Sequence, residues 1–308
     1  MKLSVIVPCH NEEKNIFLFY DEFKNDFKYY KGTFELIYVD DGSRDDTFKE
    51  MQKLIEKKND NIKVLSFSRN FGKEAAMYAG LNEAEGDYVC IIDADLQQRP
   101  KIILEMMKIL DKDKTYDSVC AYQEKRKESK FMSFVKKKFY QIINNSSEIE
   151  FVSGASDFRL FRKDVARSLV KFGEHHRFLK GMFSYVGFNT CYIPYVVEER
   201  ATGKSNWNFF KLFKYAIDGI IAFSDLLLKL SLYIGSLAVF GSFIYLLVSL
   251  LLKVNITTSL LFFFMSFFFG VVMMSIGVSN LYISRIYDEV KSRPNYIVKS
   301  IIKREKTK

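Results

Sequence analysis

Two stretches of the chain carry no charge at all, and no other feature limits the fold as strongly. Residues 230–252 contain no Asp, Glu, Lys or Arg, and after Lys253 the next charged side chain is Arg285. A bilayer core is spanned by a helix of about 20 apolar residues, so each stretch is long enough. A helix that is apolar all round belongs to a membrane span or to the core of a large protein. The reading is a pair of membrane helices, residues 230–252 and 259–284. Upstream, to about residue 228, charge is frequent and apolar runs are short, as in a water-soluble α/β unit.

The N-terminus does not read as a signal peptide: the short apolar run after Lys2 ends at Pro8, and His10-Asn11-Glu12-Glu13 follows. The connector 253–258 has one charge, whereas residues 285–308 hold eight basic and three acidic side chains. By the positive-inside rule the two helices form a hairpin, with the N-terminal unit and both termini on the cytoplasmic side of the plasma membrane. Cys9, Cys90, Cys120 and Cys191 are scattered and read as reduced thiols in a cytoplasmic core. The net charge of +9 suits an anionic membrane surface and a phosphate-bearing substrate, and no nucleic-acid-binding motif is present.

The first half alternates apolar runs with helical patterns. KLSVIV (2–7), FELIYV (34–39), residues 62–67 and YVCII (88–92) read as strands; residues 12–27, 46–57 and 73–84 read as helices. Continuous apolar strands between helices imply a mostly parallel, Rossmann-like sheet covered on both faces. In such sheets ligands sit beyond the carboxyl ends of the strands. The loops there, residues 8–12, 40–45, 68–73 and 93–98, hold most of the unusual chemistry. No GxGxxG follows the first strand and no GxxxxGK[ST] occurs, so a dinucleotide fold and a P-loop are disfavoured.

Asp93 and Asp95 stand two apart at a strand end, where an extended backbone would aim both side chains the same way. Such a pair suits a hard divalent cation that also takes diphosphate oxygens, with Gln97 as a further oxygen donor. The competing reading is an acidic turn capping the helix near Pro100. Asp40-Asp41-Gly42-Ser43 forms a second acidic loop, where a carboxylate can accept from ribose hydroxyls or a pyrimidine N–H; Ser43 to Asp46 also read as helix caps. His175-His176 lacks partner ligands at useful spacing. Trp207 is either a stacking platform or an interfacial anchor. Residues 130–143 (KFMSFVKKKFYQII) read as a basic amphipathic helix on the membrane surface, or as an ordinary surface helix. Residues 209–229 read as an amphipathic interfacial helix.

VIVPCHNEE, YVDDGSRDDT, FSRNFGKEAAMYAGL and DADLQQRP, in this order, resemble the family 2 glycosyltransferases of GT-A fold. VSGASDFRLF, HHRFLKGMFSYVGF and ERATGKSNWNFFKLFKYAIDGI, followed by two apolar helices, resemble the bactoprenol branch of the polyprenyl-phosphate hexosyltransferases, which are related to dolichol-phosphate mannosyltransferase. The resemblance implies a catalytic domain over residues 1–208 and a basic tail over 285–308. It implies that Pro8, His10, Glu12, Val39, Asp41, Asp93 and Ala94 line the nucleotide pocket. Asp93, Asp95 and Gln97 would hold Mg²⁺ or Mn²⁺. It implies catalytic roles for Asp95 and Asp157, the latter matching a proposed base. Arg200 would bind lipid phosphate or diphosphate, with Lys204 and Ser205 beside it; many relatives have lysine where this chain has Asn206.

The implied reaction moves a hexose, best matched by glucose, from a UDP-sugar to undecaprenyl phosphate with inversion. The same reaction with N-acetylglucosamine or mannose, and a nucleotide-binding membrane scaffold without catalysis, are the alternatives. The implied partners are a nucleotide-sugar donor, a polyprenyl phosphate and membrane lipid, with a homo-oligomer admitted and no nucleic acid. Because a phosphate monoester has a second pKa near 6, it is mostly dianionic at neutral pH. Asp157 is therefore expected to orient the acceptor site or a sugar hydroxyl, and to act as a base only below about pH 6.

Overall fold

A computed structural model describes residues 1–123, 141, 144–145, 152, 155–175, 177–196, 198, 233–234 and 257–304. The chain divides into two compact units. The first comprises Met1–Tyr140, Ile149–Asn208 and Pro294–Lys308; the second comprises Gln141–Glu148 and Phe209–Arg293.

The first unit is built on one sheet. Its strands are β1 (Lys2–Cys9), β2 (Thr33–Asp40), β3 (Ile62–Phe67), β4 (Tyr88–Ile91), β5 (Ser118–Gln123), β6 (Ala155–Arg162), β7 (Thr190–Tyr195) and β8 (Val298–Lys303), in the order β7-β5-β6-β4-β1-β2-β3-β8. The four strands read from the sequence are the parallel centre, β3-β2-β1-β4. On the β4 side β6 runs antiparallel between β4 and β5, and β7 pairs parallel with β5. The expectation of a mostly parallel α/β sheet holds for this unit.

Helices α1 (Asn15–Asp26), α2 (Thr47–Lys57), α3 (Lys73–Glu83) and α4 (Lys101–Lys112) follow the four central strands. Leu3, Val5 and Val7 of β1 share a core with Ile16, Phe19 and Phe23 of α1 and with Met51 and Leu54 of α2. Each such side chain, fully buried, contributes about 1.5–3 kcal/mol of transfer free energy. Ile6 serves α3 instead: a Cβ added at Gly80 would stand 2.2 Å from its Cγ2, so only glycine lets α3 approach β1 this closely. Helices α5 (Lys163–Val170) and α6 (Leu179–Tyr185) follow β6.

β8 corrects the reading of residues 285–308 as a basic tail. Val298–Lys303 lies antiparallel on β3, with Ser66 opposite Ser300 and Val64 opposite Ile302. Tyr296, just before it, stacks on Phe67 with ring centroids 5.0 Å apart. The first unit therefore takes in Pro294–Lys308 as well as residues before 208.

Among the described residues, no helix is long and apolar enough to cross a membrane. The first expected span and the interfacial segment 209–229 lie outside the described residues, apart from 233–234, as does nearly all of 130–143. The second expected span falls within a helix, α7 (Thr257–Val290).

Candidate active site

Pro8 locates the site. It lies in a central strand, where proline removes a ladder donor and is normally excluded. Here the Ile6 carbonyl accepts from Ile92 N–H (3.1 Å) on the β4 side, and by alternation Pro8 faces that same side two residues on. β4 has already ended at Ile91, so no ladder bond is lost. The gap opens where the chain, after β1, β2 and β3, crosses back over β1 to β4. That reversal of strand order is where open α/β sheets bind ligands.

Three loops converge on this crevice. In the loop after β2 the two aspartates have structural work. Asp40, buried, accepts from Ser66 Oγ (2.7 Å) and Ser43 N–H (3.0 Å). Asp41, also buried, accepts from Phe71 N–H (2.7 Å) and Gly72 N–H (2.9 Å). Burial pushes its carboxyl up, while those two N–H groups pull it down. Gly42, with φ +60°, brings the backbone against Arg69 and Asn70. Asp41 thus ties the loop after β2 to the start of α3, a role not read from the sequence. The His10 ring fits between these loops, with Nδ1 2.9 Å from the Asp41 carbonyl oxygen and 3.1 Å from the Asn70 amide nitrogen, and Nε2 3.2 Å from the Asn11 amide nitrogen. Glu12 N–H donates to Thr47 Oγ1 (2.8 Å). Val39, opposite Pro8 in register, and Ala94 are buried.

Asp93 and Asp95 do not share an extended edge as expected from their spacing. Beyond Ile91 the strand has ended and the chain turns, with Leu96 at φ +58°, and the two carboxylates make different contacts. Asp95 is 6 % exposed and its Oδ1 accepts from Gln97 N–H (3.1 Å), a local turn upstream of α4, whose N-terminus carries no side-chain cap. Asp93 meets the Lys73 ammonium at 2.6 Å. The same ammonium meets Asp157, at the start of β6, at 3.0 Å. Lys73 therefore joins two predicted site residues that are far apart in sequence. Burial acts against each charge of the pair. It is outweighed at Lys73 by Asp93 and Asp157, and the ammonium stays charged well above the usual lysine range. It is outweighed at Asp157 by Lys73, Lys180 and Arg159, which hold the carboxyl well below the usual carboxylate range. The second oxygen of Asp157 is buried with no hydrogen-bond partner among the described residues. Glu74, next along α3, accepts from Leu179 N–H (3.1 Å); burial, reinforced by Asp157, pushes its carboxyl up to about 7.

Gln97 O accepts from Glu198 N–H (3.2 Å), two residues before Arg200 in sequence. Arg200, Lys204 and Ser205 lie outside the described residues, as do Asn206 and Trp207. Sequence reasoning missed Lys73 and Glu74 as site residues. The available signal was their position: they open the helix that follows β3, at the same sheet edge as the acidic loops.

The donor set fits a divalent cation that is only partly coordinated by protein. Asp93 and Asp157 already share one cation, and Asp157 keeps a buried oxygen in reserve. Among the described residues no group of three or more His, Cys, Asp or Glu gathers for a metal, so phosphate oxygens and water would complete the shell.

Comparison with known proteins gives the family. The family model for glycosyl transferase family 2 matches residues 4–170. The chain is 35 % identical over 302 residues to CsbB of Bacillus subtilis, whose name carries only a general glycosyltransferase assignment; the match covers 96 % of this chain and 91 % of CsbB. It is 35 % identical over 309 residues to the SfII prophage-derived bactoprenol glucosyl transferase of Shigella flexneri, covering 97 % of this chain and 98 % of that one. Among solved structures, the mannosyltransferase PcManGT from Pyrobaculum calidifontis, in complex with GDP-Man and Mn²⁺, superposes with a TM-score of 0.51 at 21 % identity. That match covers 71 % of this chain and 62 % of PcManGT.

Proposed function

The chain belongs to glycosyl transferase family 2 and is a glycosyltransferase, and on that premise we propose that it transfers glucose from UDP-glucose to undecaprenyl phosphate with inversion. The observation that carries this reading is the match, nearly end to end, with a bactoprenol glucosyl transferase. The crevice between β1 and β4 is the donor site. Pro8, His10, Glu12, Val39, Asp41 and Ala94 form its nucleotide side, and Asp93, Asp95 and Gln97 its diphosphate side.

In the reaction an oxygen of the lipid phosphate bonds to the anomeric carbon, and the bond from that carbon to the diphosphate oxygen breaks on the opposite face. A divalent cation, Mg²⁺ or Mn²⁺, would be held by Asp93 and Asp157, with the donor diphosphate completing its shell, and would neutralise charge on the departing diphosphate. The protein's own part is placement. Asp41 fixes Phe71 and Gly72, and so the first turn of α3, which presents Lys73 to Asp93 and Asp157. Arg200, with Lys204 and Ser205, would receive the acceptor phosphate, since a guanidinium fork matches phosphate oxygens in a way lysine does not.

The same reading places residues 230–252 and 259–284 as a membrane hairpin, with the catalytic unit on the cytoplasmic face. Support comes from the absence of charge in both segments and from exposed apolar side chains along α7, among them Leu261, Met265, Phe269 and Val272. A further support is topological. β8, which follows the second apolar segment, and β3, which precedes the first, are neighbours in one sheet, as a hairpin requires.

The test is a donor panel. Purified protein is given undecaprenyl phosphate and UDP-glucose, UDP-N-acetylglucosamine or GDP-mannose, and the lipid product is weighed by mass spectrometry. Undecaprenyl phosphate gaining one hexose from UDP-glucose is the expected result; a product only from another donor removes the glucose assignment, and none from any donor removes the reading.

A further inference from the structure

The Lys73 side chain is 39 % exposed, yet its ammonium sits against two carboxylates from different strands, Asp93 after β4 and Asp157 in β6. Its contacts of 2.6 and 3.0 Å make it the stand-in for a cation at the place where the donor diphosphate is read to lie. The described residues otherwise offer such a cation too few ligands. Among the described residues no triad of carboxylates, imidazoles or thiols gathers there, and Asp95 is engaged with the Gln97 N–H. A hard cation held by two carboxylates needs substrate phosphate oxygens and water to complete its shell.

Building on the donor-site reading, we propose that Lys73 is the resident cation of the nucleotide-free site, holding Asp93 and Asp157 together and making entry of a divalent metal conditional on the nucleotide diphosphate. Without nucleotide, a metal must displace the ammonium and gains only the two carboxylates. With a nucleoside diphosphate present, the metal gains phosphate oxygens, and the ammonium moves from the carboxylates to the same diphosphate. No bond is made or broken in this exchange; one cation replaces another on Asp93 and Asp157, and the displaced charge finds a new anion. The unpartnered oxygen of Asp157 is the acceptor left ready for it. Lys73 is thereby a positioning residue that couples metal binding to donor binding.

The experiment titrates Mn²⁺ into the full-length protein in detergent, following free Mn²⁺ by electron paramagnetic resonance, with and without UDP. Wild type is compared with Lys73→Met, Lys73→Gln and Lys73→Arg. Removing a positive charge a few ångströms from the metal position should tighten binding of Mn²⁺ alone by at least about tenfold in both neutral variants, and the extra affinity conferred by UDP should shrink by a similar factor. Lys73→Arg should behave as wild type. Lys73→Gln keeps a hydrogen-bond donor for Asp157, so agreement between Gln and Met identifies charge as the cause. If Mn²⁺ alone binds neither neutral variant more tightly, the role given to Lys73 is wrong. If wild type binds no Mn²⁺ even with UDP, the donor-site reading itself fails.

Discussion

Gly42→Ala should disable the junction between the loop after β2 and the start of α3, and the cost can be worked from two terms. Gly42 has φ +60°, a left-handed conformation that costs a residue with a Cβ about 1 kcal/mol or more. The Cβ would also stand 2.3 Å from Arg69 C, 2.6 Å from Asn70 N and 2.7 Å from Arg69 O, all backbone atoms that no rotamer change can move. Overpacking of this kind adds about 1–3 kcal/mol, for a total of about 2–4 kcal/mol. At about 2–4 °C per kcal/mol for a domain of this size, the midpoint of thermal unfolding should fall by about 4–15 °C.

The loops can relieve the clash only by separating, and separation pulls the Phe71 and Gly72 N–H groups off Asp41. Because Lys73 follows directly, UDP binding should weaken along with stability. Two other glycines calibrate the measurement. Gly72→Ala meets nothing within 4 Å but has φ +101°, so it carries conformational strain without a clash; Gly173→Ala has neither and should be silent. Circular dichroism melts in detergent and calorimetric titration of UDP give both readouts. A Gly42→Ala midpoint equal to that of Gly173→Ala would refute the close approach of the two loops.

Asp41→Asn keeps one acceptor oxygen but turns an amide N–H₂ toward the N–H groups of residues 71–72. It should cost about 1–3 kcal/mol in denaturant unfolding and weaken UDP binding, and an unchanged midpoint would remove Asp41 from its anchoring role. Glu74 in the folded chain holds its proton up to about pH 7, above its ordinary value of 4.5. As pH rises between those values the unfolded state ionises first, so stability falls through that window and is level above it. Glu74→Gln should therefore flatten that decline and be about 1–3 kcal/mol more stable than wild type at alkaline pH, with no gain below the window. Asp157→Asn should lose turnover by a factor that stays level from about pH 6 to about pH 8.5, since Lys73 and Asp157 both keep their charges throughout; a loss that varies steeply with pH would contradict this. For topology, a cysteine at Asn255 should react with an impermeant maleimide from outside intact cells and one at Lys303 should not; the reverse pattern would overturn the hairpin.

The centre of the fold was legible because parallel strands buried on both faces must be apolar throughout. β3 (Ile62–Phe67) matches its expected span residue for residue, and β1, β2 and β4 differ only at their ends. β8 was not legible. VKSIIK alternates charge and apolar side chains in a basic stretch that follows a long apolar segment, and locally that is a tail. Its partner is β3, more than two hundred residues earlier, and no local pattern announces such a pairing. The acidic loops announced the site, but not the division of labour within it. From sequence Asp41 is a free carboxylate beside a ligand; in the fold two backbone N–H groups claim it. Lys73 was hidden for the same reason, since its meaning depends on α3, β4 and β6 meeting.

That meeting also decides what Asp157 can do. A general base is most effective when its pKa lies near the working pH, where it takes a proton readily. Lys73, Lys180 and Arg159 overcome the effect of burial and hold the Asp157 carboxyl well below the usual range, which makes it a weaker base than an ordinary aspartate. The proposed acceptor, a phosphate monoester, is already mostly dianionic near neutral pH and has little proton to give. Both partners of the supposed proton transfer thus lack a reason for it. A bare carboxylate would moreover repel the incoming dianion, and a cation held against it removes that objection: with Lys73 beside it in the nucleotide-free site, or the metal proposed to replace Lys73 once the donor is bound, Asp157 presents no unbalanced negative charge to the acceptor. In place of base action below about pH 6 we propose a role without proton transfer, in which Asp157 contributes its fixed charge to the arrangement of cations around the diphosphate. This is why its substitution should register in metal binding as well as in turnover.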